Sequence, residues 1–258
     1  MKDYQGFKNN GNWYKGNLHS HTTVSDGKMT PEQSVEVYKE HGYNFLALSE
    51  HDIYTDYRKQ YNTDNFIMIP AIEASAILYQ EEGSSKRLEI HHLHGILGTS
   101  EMQKNAKAPL FTHMEHVPPQ KHYGTWRGRE ISQEIADMLR DRGCVVTYNH
   151  PIWSRVTEEE FIYTEGVQAL EIFNYNTVLE SNTGYDVTYW DRMLRMGKKI
   201  NGFASDDNHN EGLFEDSCGG WICVQAPELT HDAIIQNFLD GNYYSSAGPV
   251  IKDWGIKE

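Results

Sequence analysis

Residues 16–27 read GNLHSHTTVSDG. The run from Gly16 to Ser20 has the form of a short buried strand, and it ends in His19-Ser20-His21. Residues i and i+2 of a strand face the same side, so both imidazoles can reach one cation. The turn Ser25-Asp26-Gly27 follows, with Asp26 either a further oxygen donor or a turn residue before glycine.

Working outward, the same design recurs: a short apolar run, then polar and titratable residues at its end. Strands are expected at Gly16–Ser20, Asn44–Ser49, Phe66–Ile72, Glu89–Leu97, Cys144–Asn149, Val167–Phe173 and Lys199–Ala204. Helical stretches lie between them. Thr30-Pro31-Glu32-Gln33 combines a capping threonine, a proline at the first helical position and a glutamine three residues after the cap. Thr157 with Glu160 repeats the capping box, and Arg129–Arg142 and Thr230–Leu239 have amphipathic spacing. Alternating strands and helices predict a parallel sheet, and seven strands predict a closed or nearly closed one. Residues 98–128 break the rhythm and are expected to form a long functional loop; residues 175–187 are a shorter segment of the same kind.

In a barrel of this type the loops at the carboxyl ends of the strands build the site. Those ends carry His51 in Glu50-His51-Asp52, Glu73, His150 in Asn149-His150-Pro151, and Asp207 and His209 in Asp206-Asp207-Asn208-His209. The fourth strand offers His91-His92-Leu93-His94, where His92 and His94 share a face and His92 is the preferred donor. Asp206 remains an alternative to Asp207. Asp52 and Asp206 are otherwise read as acceptors that orient imidazoles, and Glu171 and Asn174 as residues near the site that could bond a histidine.

The chain has 258 residues and is read as one domain over 1–258. Its formal charge of −14 argues against a long nucleic acid as partner unless metal ions reverse the local sign. No apolar stretch reaches the roughly 18 residues that cross a membrane, and Met1–Asn12 has no apolar leader, so a cytoplasmic protein is expected. Cys144, Cys218 and Cys223 form no C-x-x-C pair, which points to reduced thiols rather than disulfides or a thiolate zinc site. Neither a G-x-S-x-G turn nor a P-loop is present.

Taken in order, H-x-H, S-D-G, E-H-D, A-I-E, a strand histidine, N-H-P and D-x-H resemble the PHP family, named for polymerase and histidinol phosphatase domains. The resemblance spans Gly16 to about His209. It implies an α/β fold, a distorted seven-stranded barrel, and phosphoester hydrolysis by two or three clustered divalent ions. By the same resemblance His19, His21, Glu73 and Asp207 hold one metal. Glu73 bridges to a second with His92 and His150, and Asp26, His51 and His209 hold a third. Imidazole and carboxylate without thiolate suit Zn²⁺, Mn²⁺ or Fe²⁺.

The expected chemistry is attack of metal-bound hydroxide on a small phosphomonoester, with Glu73, Asp207 and His209 at its centre. A phosphodiesterase or nuclease acting on short oligonucleotides is the alternative. A barrel amidohydrolase is disfavoured because the strand at Cys144–Asn149 lacks a bridging lysine, and the apparently intact ligand set argues against a non-catalytic metal-binding protein. Among cations, Arg155 is the expected substrate-binding residue, ahead of Lys28, Arg127 and Arg129, and Trp153 is a candidate stacking surface. The pattern leaves the oligomeric state open.

Overall fold

The computed structural model describes residues 4–7 and 11–256. Its main sheet has ten strands, ordered Asn201–Ser205, Val167–Asn174, Cys144–Tyr148, Arg87–Leu97, Ile67–Tyr79, Phe45–Leu48, Asn12–Asn17, Trp221–Ala226, Tyr243–Ser246. The tenth, Gln120–Tyr123, pairs with the far half of Ile67–Tyr79. The sheet curls back on itself where Ser20, beyond Asn12–Asn17, bridges Asn208, beyond the end strand Asn201–Ser205. His21 N donates to Asn208 O at 3.1 Å, and Asp207 N to His19 O at 2.9 Å. On the other side of that seam Ser245 Oγ donates to the Gly202 carbonyl at 3.0 Å. A distorted α/β barrel results, as expected, with Gln120–Tyr123, Trp221–Ala226 and Tyr243–Ser246 as strands of this sheet beyond the seven read from the sequence.

The expectation of an all-parallel sheet is corrected. Ile67–Tyr79 and Arg87–Leu97 form a long antiparallel hairpin, and Arg87–Leu97 also runs antiparallel to Cys144–Tyr148. Trp221–Ala226 is antiparallel to both its neighbours. The third strand therefore continues six residues past Glu73, to Tyr79, instead of ending there. Apolar residues on either side of Glu73 hid this, because a buried carboxylate looks like a boundary when only hydropathy is read.

Residues 98–128 are not structureless. They hold the helix Ser100–Lys104, the strand Gln120–Tyr123, and Glu115–His116, which pairs with Ile53–Tyr54. The segment 175–187 likewise begins with the helix Tyr175–Ser181. Short elements bonded to distant partners carry no periodicity of their own, which is why they read as loops.

Alternation along Ile67–Tyr79 explains the layers. Ile67, Ile69 and Ala71 face the barrel interior with Leu18, Phe45 and Phe203, and the helix His231–Leu239 closes that core with Ile234, Ile235 and Phe238. The next inward position is Glu73, so the apolar plug ends and a polar chamber begins on one face of one strand. Ile72, Ala74 and Ala76 face outward against Ile131, Ile135 and Leu139 of the helix Gly128–Asp141. The neighbouring strand Arg87–Leu97 and the same helix approach closely at Gly95, where a Cβ would lie 2.6 Å from Leu139 Cδ2.

The capping box at Thr30 forms as read: Thr30 Oγ1 accepts from Gln33 N and Gln33 Oε1 from Thr30 N. Among the described residues no helix is long and apolar enough to cross a membrane. Cys144, Cys218 and Cys223 are free.

Candidate metal centre

His19 and His21 lie just beyond the strand Asn12–Asn17 and are completely buried. Their Nε2 atoms are 3.1 Å apart, and both converge on Asp207 Oδ1, at 3.0 and 2.9 Å. Glu73 supplies the opposite wall, with Oε1 3.1 Å from His19 Nε2 and Oε2 3.5 Å from His21 Nε2. This is one compact group of four donors.

Glu73 also faces two further groups. Its Oε1 lies 3.4 Å from both His92 Nδ1 and His150 Nε2, which are 3.4 Å from each other. Its Oε2 lies 2.9 Å from His51 Nδ1. On the solvent side Asp26 approaches His51 Nε2 at 3.6 Å and His209 Nε2 at 3.4 Å, and with His21 these form a second group of four. The nine residues singled out as metal donors are thus brought together. Of the two inward histidines on Arg87–Leu97, it is His92 that faces Glu73 and His150. His94 stacks edgewise on His19 and contacts Thr147 Oγ1 at 3.3 Å. The antiparallel register, Glu73 opposite His94 and Ser75 opposite His92, puts all four side chains on one face.

The residues that hold this cluster differ in part from expectation. Glu171 accepts from His19 Nδ1 at 2.8 Å, from His150 N at 3.0 Å, from Asn174 Nδ2 at 3.0 Å, and from Ser205 Oγ. It orients His19 from within the strand Val167–Asn174, in keeping with its reading as a residue near the site that could bond a histidine. Asn149 Nδ2 donates to Glu73 Oε1 at 2.6 Å, and Asn174 Nδ2 to Asp207 Oδ2 at 2.9 Å. Asp206 orients no imidazole. It accepts from Tyr38 Oη at 2.6 Å and from the amides of Cys218, Gly219 and Gly220 at 2.7–2.8 Å, pinning the returning loop. Asp52 likewise holds Ser75, through its amide and hydroxyl. Glu50, unassigned from the sequence, accepts from Thr22 and Ser25 and shapes the turn that presents Asp26. Asp52, His150 and Asp207 all have left-handed backbone, with φ of 57°, 26° and 56°. Strained non-glycine positions of this kind cluster where a site dictates side-chain aim.

Burial works against every charge here, so the shifts show which partners win. Asp207, Glu73 and Glu171 raise His19 well above the ordinary imidazole value despite that burial. Burial likewise opposes charge on His150 and His209, but Glu73 and Asp207 raise the first to about 8, and Asp26 and Asp207 the second to about 9. Glu73 and Asp207 are held well below the carboxylate range by surrounding histidines. His21 falls to about 3 through burial and the neighbouring His51 and His209. Protons on imidazoles thus offset the carboxylates in places that cations can take.

The donor set fits divalent ions. Metal–donor bonds of about 2.0–2.2 Å place neighbouring donors about 2.8–3.6 Å apart, and the contacts around Glu73 span 2.9–3.5 Å. Glu73 Oε2, Asp207 Oδ1 and His21 Nδ1 are buried without a hydrogen-bond partner. A buried carboxylate oxygen left unpaired is costly, and the two here aim into the cluster.

The cluster opens into a cavity of about 350 Å³ whose wall includes His92, His150, Trp153, Arg87, Glu180 and Phe214. Trp153 donates from Nε1 to Glu180 at 2.7 Å, with its ring 5.1 Å from that of His150. Arg155 is not part of that wall; its Nη2 donates to the carbonyl of Arg87 at 2.9 Å, and Arg87 lines the cavity instead. Lys28 bonds the Asp26 carbonyl at 3.2 Å, and Arg127 and Arg129 lie elsewhere. Arg87 was missed because it begins the fourth strand, at the end away from the strand's motif histidines, and only the hairpin brings that end to the cavity.

No protein-family model and no curated protein matches this sequence. Among solved structures, the chain is similar to a two-domain protein from Bacteroides vulgatus containing a predicted PHP-like metal-dependent phosphoesterase. The TM-score is 0.54 at 16% identity, covering 95% of this chain and 67% of that one. It is also similar to an amidohydrolase from Chromobacterium violaceum with bound sulfate and no metal. There the TM-score is 0.50 at 13% identity, covering 89% of this chain and 97% of that one. At such identities the likeness defines the fold alone, a distorted α/β barrel that this chain shares with both proteins.

Proposed function

We propose that this protein is a member of the PHP family and a metal-dependent hydrolase of small phosphomonoesters, using two or three divalent ions of Zn²⁺, Mn²⁺ or Fe²⁺ character. The observation that carries the reading is the position of Glu73, whose two oxygens face His19, His92 and His150 on one side and His21 and His51 on the other. A carboxylate so placed suits adjacent cations that share it. When bound, such ions supply Lewis acidity toward phosphoryl oxygens and acidify water.

The chain's own residues do the rest. Asn149 and Asn174 hold Glu73 and Asp207 in fixed orientation, and Glu171 sets the tautomer of His19 so that Nε2 faces the cluster. Asp26 and His209 close the solvent side next to the cavity, whose volume suits a small leaving group. Five carboxylates on the cavity wall, from Asp26, Glu180, Asp207, Glu211 and Asp216, oppose a long polyanion. The strand Cys144–Tyr148 carries no lysine, which favours phosphoester over amide chemistry.

The test is hydrolysis by the Mn²⁺-loaded full chain of p-nitrophenyl phosphate, its bis ester, and a panel of phosphorylated small molecules. Monoester turnover above diester turnover is expected. Turnover of the diester alone would shift the reading to a phosphodiesterase, and no turnover of any ester by metal-replete protein would overturn it.

A further inference from the structure

Among the residues lining the cavity, Arg87 is the one arginine or lysine, set among five carboxylates in a chain of net charge −14. Most arginines of this protein are committed: Arg58 to Asp56, Arg140 to Asp137, Arg142 to Glu115, Arg192 to Glu158 and Arg195 to Asp191. The Arg87 guanidinium has no ion pair or hydrogen bond among the described residues. Its backbone is nonetheless fixed, by pairing with Tyr79 and by the Arg155 guanidinium on its carbonyl. A cation with a located backbone and a free head group, facing a cavity, is placed for an anion that arrives with a ligand.

That anion is not the group held at the histidines. Arg87 and His92 sit on one strand, five residues apart, which is about 16 Å of chain at roughly 3.3 Å a residue. Trp153 lines the same cavity as both; its ring lies 6.0 Å from that of His92, and its helix, Pro151–Ser154, ends at Arg155, whose guanidinium bonds the Arg87 carbonyl.

Resting on the phosphomonoesterase reading, we infer that Arg87 is a specificity-determining residue. It selects substrates whose leaving group carries a second anionic group, phosphate or carboxylate, several bonds from the scissile phosphorus. The leaving group lies over Trp153, and its far charge meets the guanidinium.

Three matched probes test this on the Mn²⁺-loaded full chain: hexyl phosphate, 6-phosphooxyhexanoate and hexane-1,6-diol bisphosphate. The wild type is expected to favour one or both probes with an anionic far end over hexyl phosphate by about fivefold or more in kcat/KM. In Arg87→Ala that ratio should fall to near one, and Arg87→Lys should restore part of it. The exposed Arg127→Ala, which removes the same charge elsewhere, should keep the wild-type ratio. Which probe loses its advantage tells phosphate from carboxylate. A wild-type ratio near one, or a ratio unchanged in Arg87→Ala, overturns the inference. Calorimetric binding of hexane-1,6-diylbisphosphonate against hexylphosphonate, which cannot be hydrolysed, separates the two readings. An Arg87-dependent preference in binding without turnover removes only the hydrolase assignment. Equal binding of both by wild type and Arg87→Ala removes the role of Arg87 whatever the turnover.

Discussion

Glu171 Oε1 accepts from His19 Nδ1 at 2.8 Å, and this contact fixes which nitrogen of His19 faces the cluster. Four donors converge on Glu171: the His19 ring, the His150 amide, Asn174 Nδ2 and Ser205 Oγ. An amide in its place has one acceptor oxygen and brings two donors of its own. Glu171→Gln should therefore weaken Mn²⁺ or Zn²⁺ binding by about 10- to 100-fold while the fold persists. Metal titration followed by calorimetry, with circular dichroism as the check on folding, measures it. Unchanged affinity would mean that His19 needs no orienting partner.

Glu73 and Asp26 separate by burial. Glu73 is fully buried among five histidine nitrogens, whereas the Asp26 side chain is 55% exposed and pairs with two histidines, His51 and His209. Glu73→Gln should lose at least about tenfold more activity than Asp26→Asn, because it removes charge from donors shared between groups. Steady-state rates with metal content measured on the same samples decide it, and equal losses would refute the shared role.

Metal analysis of the reconstituted protein should give more than one equivalent per chain, since the donors fall into several groups that overlap at His21 and Glu73. Less than half an equivalent after exposure to Zn²⁺, Mn²⁺ and Fe²⁺ would leave a structural histidine cluster in place of a metal centre.

In the metal-free protein His150 and His209 hold protons up to about 8 and about 9. These values lie above the ordinary imidazole value of about 6.5. The stability they contribute is complete below that ordinary value and is lost as pH rises through about 8 and then about 9. Chelated protein should therefore show a falling Tm across that window, and metal-loaded protein a flatter profile, because cations replace those protons. A chelated Tm that stays level or climbs with pH would contradict the assignment.

Asp206 is a stability residue despite lying in the motif. Removing its carboxylate leaves the amides of Cys218, Gly219 and Gly220 without their acceptor and takes from Tyr38 Oη one of its two acceptors, the other being Asn208 Oδ1 at 2.8 Å. Asp206→Ala should cost about 3 kcal/mol or more in urea unfolding of chelated protein. A loss under about 1 kcal/mol would place these donors in contact with water.

Most strand positions, the capping box at Thr30 and the inward parity of His19, His21 and His92 follow from local rules of period and capping, so they were legible without coordinates. Local rules cannot reveal pairing direction, because parallel and antiparallel partners ask for the same apolar alternation. The Ile67–Tyr79 and Arg87–Leu97 hairpin was therefore out of reach, and with it the mid-strand position of Glu73 and the arrival of Arg87 at the cavity. The choice between Asp206 and Asp207 was closed to the sequence for a related reason. Adjacent residues with the same carboxylate are told apart only by their surroundings, and Asp207, with φ of 56°, turns inward to His19 and His21 while Asp206 meets a loop twelve to fourteen residues further along. The sequence by itself determined which chemical groups could meet and on which faces of their strands. The tertiary structure decided which of them share a bond-length neighbourhood, because that depends on how the chain closes at Ser20 and Asn208.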